Sequence, residues 1–320
     1  MDMPLILKQA VENLTAGLQQ KEIKKHAQRI SLRYRNEKQT ANKALLNDTE
    51  AAVYAVSRMP ATFGAVCSVF RSTPFFENFY PETMIDVGSG TGSAVWAAKC
   101  FFDFKQISCL ESKDAMRHIG EKLFQEGTDF FHARPEWRDF DLRFSEFNQT
   151  ADLVTASYVL NEIEESFYEK ALSALWQATK QALVIIEPGT SESFKRMNAF
   201  RTFLINNGAF IAAPCPHNDL CQNQWCHFSC RIARSKGHRL SKNAEAPYED
   251  EKFTYLVALR NPSVAKGMRV LRSPFIEKGK VTLSLCSTEG LREKIVTKKD
   301  KNAYKTARKL KWGDLFNPTE

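Results

Sequence analysis

Between Met84 and Glu187 the chain alternates short apolar runs with helix-length segments, and this alternation confines it to an α/β fold built on a parallel sheet. Met84 to Val87, Gln106 to Glu111, Asp152 to Ser157 and Ala182 to Glu187 have strand length and aliphatic, partly β-branched content. Helices are expected over Ser93–Phe102, Lys113–Phe124 and Phe167–Thr179. Ligands of such sheets sit beyond the carboxyl ends of the strands. Before the alternation, Leu5, Val11, Leu14, Leu18 and Ile23 recur at near-helical spacing, and a second helix starts at Thr49. The order breaks after 190. A helix over Ser193–Asn206 leads into a cysteine-rich segment, a further helix is expected from His227 to about Lys236, and strands resume at Phe253–Leu259 and Val281–Cys286. The chain therefore divides into an N-terminal helical region (1–80), a core (81–212), a cysteine-rich metal-binding insertion (213–247) and C-terminal strands completing the sheet, with a basic tail (248–320).

Asp86-Val-Gly88-Ser89-Gly90-Thr-Gly92 joins the first strand to its helix. Alternating glycines allow a sharp turn and a close approach to a ligand, and the helix N-terminus that follows favours polar groups. A dinucleotide fingerprint would need glycine where Ser93 stands, and the Gly-Lys-Ser/Thr of a Walker loop is missing. The spacing resembles motif I of class I S-adenosylmethionine-dependent methyltransferases. In that family an acid ending the second strand holds the ribose hydroxyls, and Glu111 stands there. The cofactor-binding set implied is Asp86, Gly88, Ser89, Gly90, Gly92 and Glu111, with a nicotinamide cofactor as the alternative. No residue is assigned as catalytic, since Glu162 and Glu187 suit helix capping or ion pairing as well as a pocket wall.

Four of the eight cysteines, Cys215, Cys221, Cys226 and Cys230, fall within sixteen residues. In a reducing compartment thiols this dense point to metal rather than disulfides. Their spacing lacks the paired C-x2-4-C of zinc ribbons. Irregular spacing with one remote cysteine, as Cys286 is, also suits an iron–sulfur cluster, which needs four cysteines but not four neighbours, and zinc is the alternative. His217 and His227 are further candidate ligands. Cys67, Cys100 and Cys109 are expected to pack as small apolar residues.

The first residues lack the pattern of a signal or transit peptide, and no uncharged apolar run approaches a membrane span, so a cytoplasmic location, no membrane and a monomer are expected. Net charge is +8, and the excess is uneven. Arg292–Asp314 holds nine Lys/Arg against three Asp/Glu, with Tyr304 and Trp312 among them. A second basic cluster runs from Arg231 through Arg234, Lys236, His238 and Arg239 to Lys242. Cations interleaved with aromatics suit a phosphate backbone.

Ser57-Arg-Met-Pro-Ala-Thr, the glycine loop, Leu160-Asn-Glu, Glu187-Pro-Gly-Thr, Cys215-Pro-His, Trp225-Cys-His-Phe, Tyr248-Glu-Asp-Glu-Lys-Phe and Leu285-Cys286 occur in that order. Together they resemble the methyltransferase-like proteins of the mitochondrial ribosomal small subunit and their bacterial relatives, over roughly 50 to 315. The resemblance implies a class I S-adenosylmethionine-dependent methyltransferase fold, a Rossmann-like doubly wound sheet. It also implies action on or with small-subunit ribosomal RNA or the assembling small ribosomal subunit, and a 4Fe-4S cluster on Cys215, Cys221, Cys226 and Cys286, with Cys230 the alternative to Cys226. Residues after Ser157 read Tyr158-Val-Leu-Asn-Glu, not the Asn/Asp-Pro-Pro-Tyr loop of amine methyltransferases, and no Pro-Cys nucleophile stands there. The target atom stays unassigned, and a non-catalytic assembly or translation factor is the alternative to an rRNA methyltransferase.

Overall fold

The computed structural model describes residues 2–36, 47–263 and 267–317. Residues 37–46, which the helical reading of 1–80 also covers, lie outside the described residues. Helices α1 (Leu5–Asn13) and α2 (Gln20–Asn36) precede α3 (Asp48–Ser72), which Asn47 caps by accepting the Glu50 N–H at 2.9 Å. The length and apolar content of α3 would suffice to cross a membrane, yet most of its side chains are buried within the protein. Gly64 permits a close approach to the chain at Ile232, for a Cβ there would lie 2.5 Å from that side chain.

The alternating region forms β1 (Thr83–Val87), α4 (Ser93–Lys99), β2 (Gln106–Leu110), α5 (Asp114–Glu126), β3 (Glu136–Arg138), β4 (Ala151–Ser157), α6 (Tyr168–Ala178) and β5 (Thr179–Pro188). There follow α7 (Ser191–Asn206), β6 (Phe210–Ala213), β7 (Phe228–Ala233), α8 (Lys236–Lys242) and β8 (Tyr248–Leu259). The sheet order is β3-β2-β1-β4-β5-β8-β6, with β7 also paired to β8. Strands β1 to β5 are mutually parallel, and β8 runs antiparallel between β5 and β6. That order, with a late antiparallel strand inserted beside the fifth, is the class I methyltransferase fold. Near-continuous burial of β1, β2, β4 and β5 reflects helices on both faces.

Two expectations about the second half need correction. His227–Lys236 is not a helix. Phe228 and Ile232 are buried while Arg231 and Ala233 are exposed, a period-two pattern, and β7 pairs antiparallel with Tyr248–Phe253 of β8. The helix begins only at α8, where Ser235 accepts the His238 N–H at 3.3 Å. Nor do all the late strands complete the main sheet. Only β8 does so; β9 (Met268–Val270), β10 (Phe275–Glu277), β11 (Lys280–Ser287), β12 (Gly290–Thr297) and β13 (Leu315–Phe316), with α9 (Lys301–Ala307), form a second five-stranded sheet with its own core. Val281, Leu283 and Leu285 face that core with Tyr304 and Phe316, which leaves Cys286 on the opposite face of β11.

Arg269 of β9, 1 % exposed, joins the two halves. Its guanidinium donates to the carbonyls of Pro214 at 2.8 Å, Ser72 at 2.8 Å and Gly313 at 2.6 Å.

Candidate functional sites

The glycine loop opens on a cavity at the carboxyl ends of β1, β2 and β4, lined by Gly88, Gly90, Glu111, Lys113, Asp141, Ser157, Tyr158 and Glu162, among others. All three loop glycines have left-handed backbone (φ of 66°, 56° and 85°), but they do different things. A Cβ at Gly88 would meet Val159 at 2.4 Å and one at Gly92 would meet Phe124 at 2.5 Å, whereas Gly90 has open space before it. Glu111 is buried, and its carboxylate accepts the N–H of Gly90 at 2.8 Å and of Lys113 at 2.9 Å. Burial raises its pKa, with Lys113 opposing the shift. Fixed by two backbone donors, its remaining lone pairs suit a diol.

Of the six residues expected to bind a cofactor, Gly88, Gly90 and Glu111 border this cavity, and Asp86, Ser89 and Gly92 do not. Asp86 accepts the Thr155 hydroxyl at 2.6 Å, tying β1 to β4, and burial pushes its pKa up to about 7. Ser89 donates to the Asp86 carbonyl at 2.8 Å and closes the turn. Gly92 lets α4 pack on Phe124. These three shape the loop rather than face the space.

Glu162, open between pocket wall, helix cap and ion pair, both lines the cavity and forms an ion pair at 3.2 Å with Lys113, a wall residue with no expected role. Tyr158 has left-handed backbone (φ of 60°), rare for an aromatic, and its hydroxyl donates to Glu251 at 3.1 Å. Arg58 reaches the same Glu251 oxygen at 3.3 Å. The Ser57-Arg and Tyr248-Glu-Asp-Glu motifs were visible in sequence; that they meet at Tyr158 was not. Glu187 is fully buried away from the cavity, accepts the Leu160 N–H at 3.2 Å and faces Arg196 at 3.8 Å, and burial lifts its pKa to about 8. It clamps the loop after β4.

A second cavity gathers the cysteines. Cys215, Cys221, Cys226 and Cys286 all line it, with Phe194, Met197, Asn223, Tyr255, Arg201 and Arg269. The four come from the loop between β6 and β7 and from β11, so the cavity exists only when the second sheet docks. Cys230 lies elsewhere: it pairs with Glu251 across β7 and β8, and its sulfur lies against Gly64 of α3. Among the described residues no three His, Cys, Asp or Glu side chains are gathered closely enough to hold a single metal ion. The thiols border a space rather than meet at a point.

The electrostatics of this space are unusual for an apolar pocket. Arg201 and Arg269 are buried, and Arg201 Nε and Arg269 Nη2 lack a hydrogen-bond partner among the described residues. Arg201 otherwise donates to the His217 carbonyl at 2.7 Å. Burial raises the Cys215 pKa against the pull of Arg201. Burial, then Cys215, Cys221 and Cys286, drive Cys226 well up, and Cys286 is pushed up to about 12. Thiols that would repel one another as thiolates beside two buried cations suit an anion-bearing metal group. His217 Nε2 is 3.7 Å from Cys286 Sγ but is not on the cavity wall.

The 231–242 cluster is paired in part. Arg231 forms a two-pronged pair with Asp250 at 2.8 and 2.9 Å, while Glu249 takes Arg234 at 2.6 Å and Lys242 at 2.5 Å, and His238 is fully buried. The acids of β8 thus neutralise part of the surface expected to meet phosphate. Tyr304 is buried in the second core, and Trp312 of the basic tail is half-buried.

The family described as mitochondrial small ribosomal subunit Rsm22 matches residues 48–317. The human protein named "Ribosome assembly protein METTL17, mitochondrial" is 26 % identical over 288 residues, 82 % of this chain and 62 % of that protein. The fission yeast Schizosaccharomyces pombe protein named "Rsm22-cox11 tandem protein 2, mitochondrial" is 28 % identical over 216 residues, 51 % of this chain and 29 % of that one. The chain thus spans less than two thirds of either relative. Similar solved structures include magnesium protoporphyrin IX methyltransferase from Synechocystis (14 % identity, TM-score 0.44, covering 76 % of this chain and 99 % of that one). Another is the N-methyltransferase NodS from Bradyrhizobium japonicum (11 % identity, TM-score 0.44, 72 % and 98 %). At these scores they carry no argument about function, and the fold rests on the strand order. The family and both relatives are mitochondrial by name, which overturns the expected cytoplasmic location.

Proposed function

The chain belongs to the Rsm22 family, and from that premise we propose an S-adenosylmethionine-binding, methyltransferase-like protein that acts on or with small-subunit ribosomal RNA during subunit assembly and carries a 4Fe-4S cluster on Cys215, Cys221, Cys226 and Cys286. The observation that carries the reading is the second cavity, where four thiols from separated segments face one space beside two buried, incompletely paired arginines. A cluster with four thiolate ligands is a body several ångströms across, and that size fits thiols that border a space better than a single zinc ion does; its net negative charge, which a four-thiolate zinc site would share, suits the two arginines. At the first cavity Glu111 would hold ribose hydroxyls, while Gly88 and Gly90 give the backbone its close approach. When bound, S-adenosylmethionine supplies an electrophilic methyl group, whose transfer needs alignment rather than a base.

Protein purified without oxygen should be brown and contain iron and acid-labile sulfide. Cys286→Ser should abolish both, although it lies far from the other three in sequence. Colourless wild-type protein with one bound zinc would refute the cluster and leave the four-thiol site intact.

One observation favours a non-catalytic assembly factor as a second reading. The residues leading from β4 to the cavity are engaged in holding the fold: Tyr158 with Glu251, Val159 against Gly88, and Glu162 with Lys113. Cells carrying Gly90→Arg in place of the wild-type gene separate the two. Restored subunit assembly with the modification pattern of deleted cells supports the scaffold; assembly that fails together with one specific methylation supports the enzyme.

A further inference from the structure

We infer that the groove between the cysteine loop and the second sheet is a stacking site for an unpaired base of single-stranded RNA, with Trp225 as its platform. The inference rests on the RNA reading above and names where and how contact is made. The groove is lined by Asn223, Trp225, Leu271, Arg272, Leu291 and Arg292, and Cys226 forms part of its wall.

Trp225 is 38 % exposed, with its ring held on one face and at its indole N–H. Its indole N–H donates to the Gly189 carbonyl at 3.2 Å. His227 stacks on it with ring centres 4.2 Å apart and planes 22° from parallel, Trp312 packs edge-on against His227 at 4.8 Å, and Arg272 lies over Trp312 at 5.6 Å. A tryptophan braced on one face and open to a groove on its remaining surface is pre-organised for a base, and it loses little entropy on binding one.

Charge selects the ligand. Arg272 and Arg292 both border the groove, against Glu293 as the carboxylate on its wall. Arg292 is partly engaged by Glu289 at 3.0 Å in an exposed pair, which competes weakly with a phosphate. Arg272 at the rim is placed for the phosphate of a nucleotide whose base lies on Trp225. Stacking reads a π-face, not a base pair, so the site prefers unpaired over duplex RNA. Because Cys226 walls both this groove and the four-thiol cavity, a displaced cysteine loop would also displace the platform.

Fluorescence anisotropy of the full-length protein with a fluorescein-labelled decauridylate tests the site. Trp225→Ala should weaken binding about tenfold and Trp225→Phe much less, as expected for the loss and rescue of one stacked base. Arg272→Ala should weaken binding and reduce the salt slope by about one phosphate contact. Ultraviolet crosslinking of the wild type, which needs no variant to fold, should attach RNA to the peptide containing Trp225. Wild-type protein that binds RNA while Trp225→Ala binds equally well, or that crosslinks only elsewhere, overturns the stacking site and leaves the RNA reading standing. Wild-type protein that binds no RNA overturns both.

Discussion

The two cavities are built on opposite plans. The glycine cavity draws its polar lining from three strand ends and their loops, and backbone N–H groups do much of the work, as with Gly90 and Lys113 on Glu111. The cysteine cavity is assembled from α7, the β6–β7 loop, β8, β9 and β11, has a mainly apolar lining, and takes its polarity from arginine and cysteine side chains. The first is a property of local turns on a sheet that many enzymes share. The second requires the whole chain to close. The glycine cavity should therefore tolerate damage elsewhere in the molecule, and the cysteine cavity should not.

The sharpest way to break this contrast is at the joint between the two sheets. Arg269→Leu removes donors from the carbonyls of Ser72, Pro214 and Gly313 at once. Buried carbonyls left unpaired, together with loss of a partner for the thiolate site, should cost on the order of 3–5 kcal/mol. Iron content should fall with stability, while S-adenosylmethionine affinity in the remaining folded protein should stay close to wild type. Calorimetric titration on the variant decides the point; equal loss at both sites would show one cooperative unit. In protein stripped of metal the cost should shrink, because Arg269 Nη2 is then an unpaired buried donor whose removal relieves a penalty.

A smaller effect tests the glycine side. Gly92→Ala combines left-handed backbone with a Cβ 2.5 Å from Phe124, and should destabilise by about 2–3 kcal/mol with a secondary loss of cofactor affinity. Gly90→Ala meets nothing within 4 Å, so it should cost only about 1–2 kcal/mol in stability. Its methyl group faces the cavity, so its effect on cofactor binding should be the larger of the two. Glu111→Gln keeps one acceptor and sets an amide N–H against a backbone donor, and should weaken cofactor binding about tenfold or more. Thermal melts paired with calorimetric titrations rank the three, and Gly92→Ala proving mild in melting would contradict the packing role assigned to it.

What the sequence revealed follows the same division. Strand–helix alternation located β1, β2, β4 and β5 within a few residues because each strand is buried on both faces and so reads as a continuous apolar run. Motif spacing located the glycine loop, but it could not separate glycines that face a ligand from those that face Phe124 or Val159, since both need the same backbone. The strand at 228–233 was hidden because its outward residues, Arg231 among them, are satisfied by the acids of β8, a pairing that local periodicity does not encode. Likewise the second sheet was invisible as a separate unit, because alternating strands look alike whichever sheet they join. Arg201 and Arg269 gave no signal at all: an arginine reads as surface until burial shows otherwise.

Cys230 offers the finest test, since in sequence it is indistinguishable from a ligand, being one helical turn past Cys226 in any helical reading of the segment. The strand changes that geometry. In β7 the thiol is aimed at Gly64 and the α3 face rather than at the cysteine loop, and burial, with Glu251 and Asp250 adding repulsion of a thiolate, pushes its pKa up to about 12. A neutral, half-buried thiol in that place acts as a small apolar filler. Cys230→Ala should therefore leave iron content and visible absorbance unchanged and cost about 1 kcal/mol from the void beside Gly64. Cys226→Ala, four residues away, should abolish the cluster. If Cys230→Ala also lost iron, the loop would have to rearrange around the metal, and the cavity described here would be a feature of the metal-free chain alone.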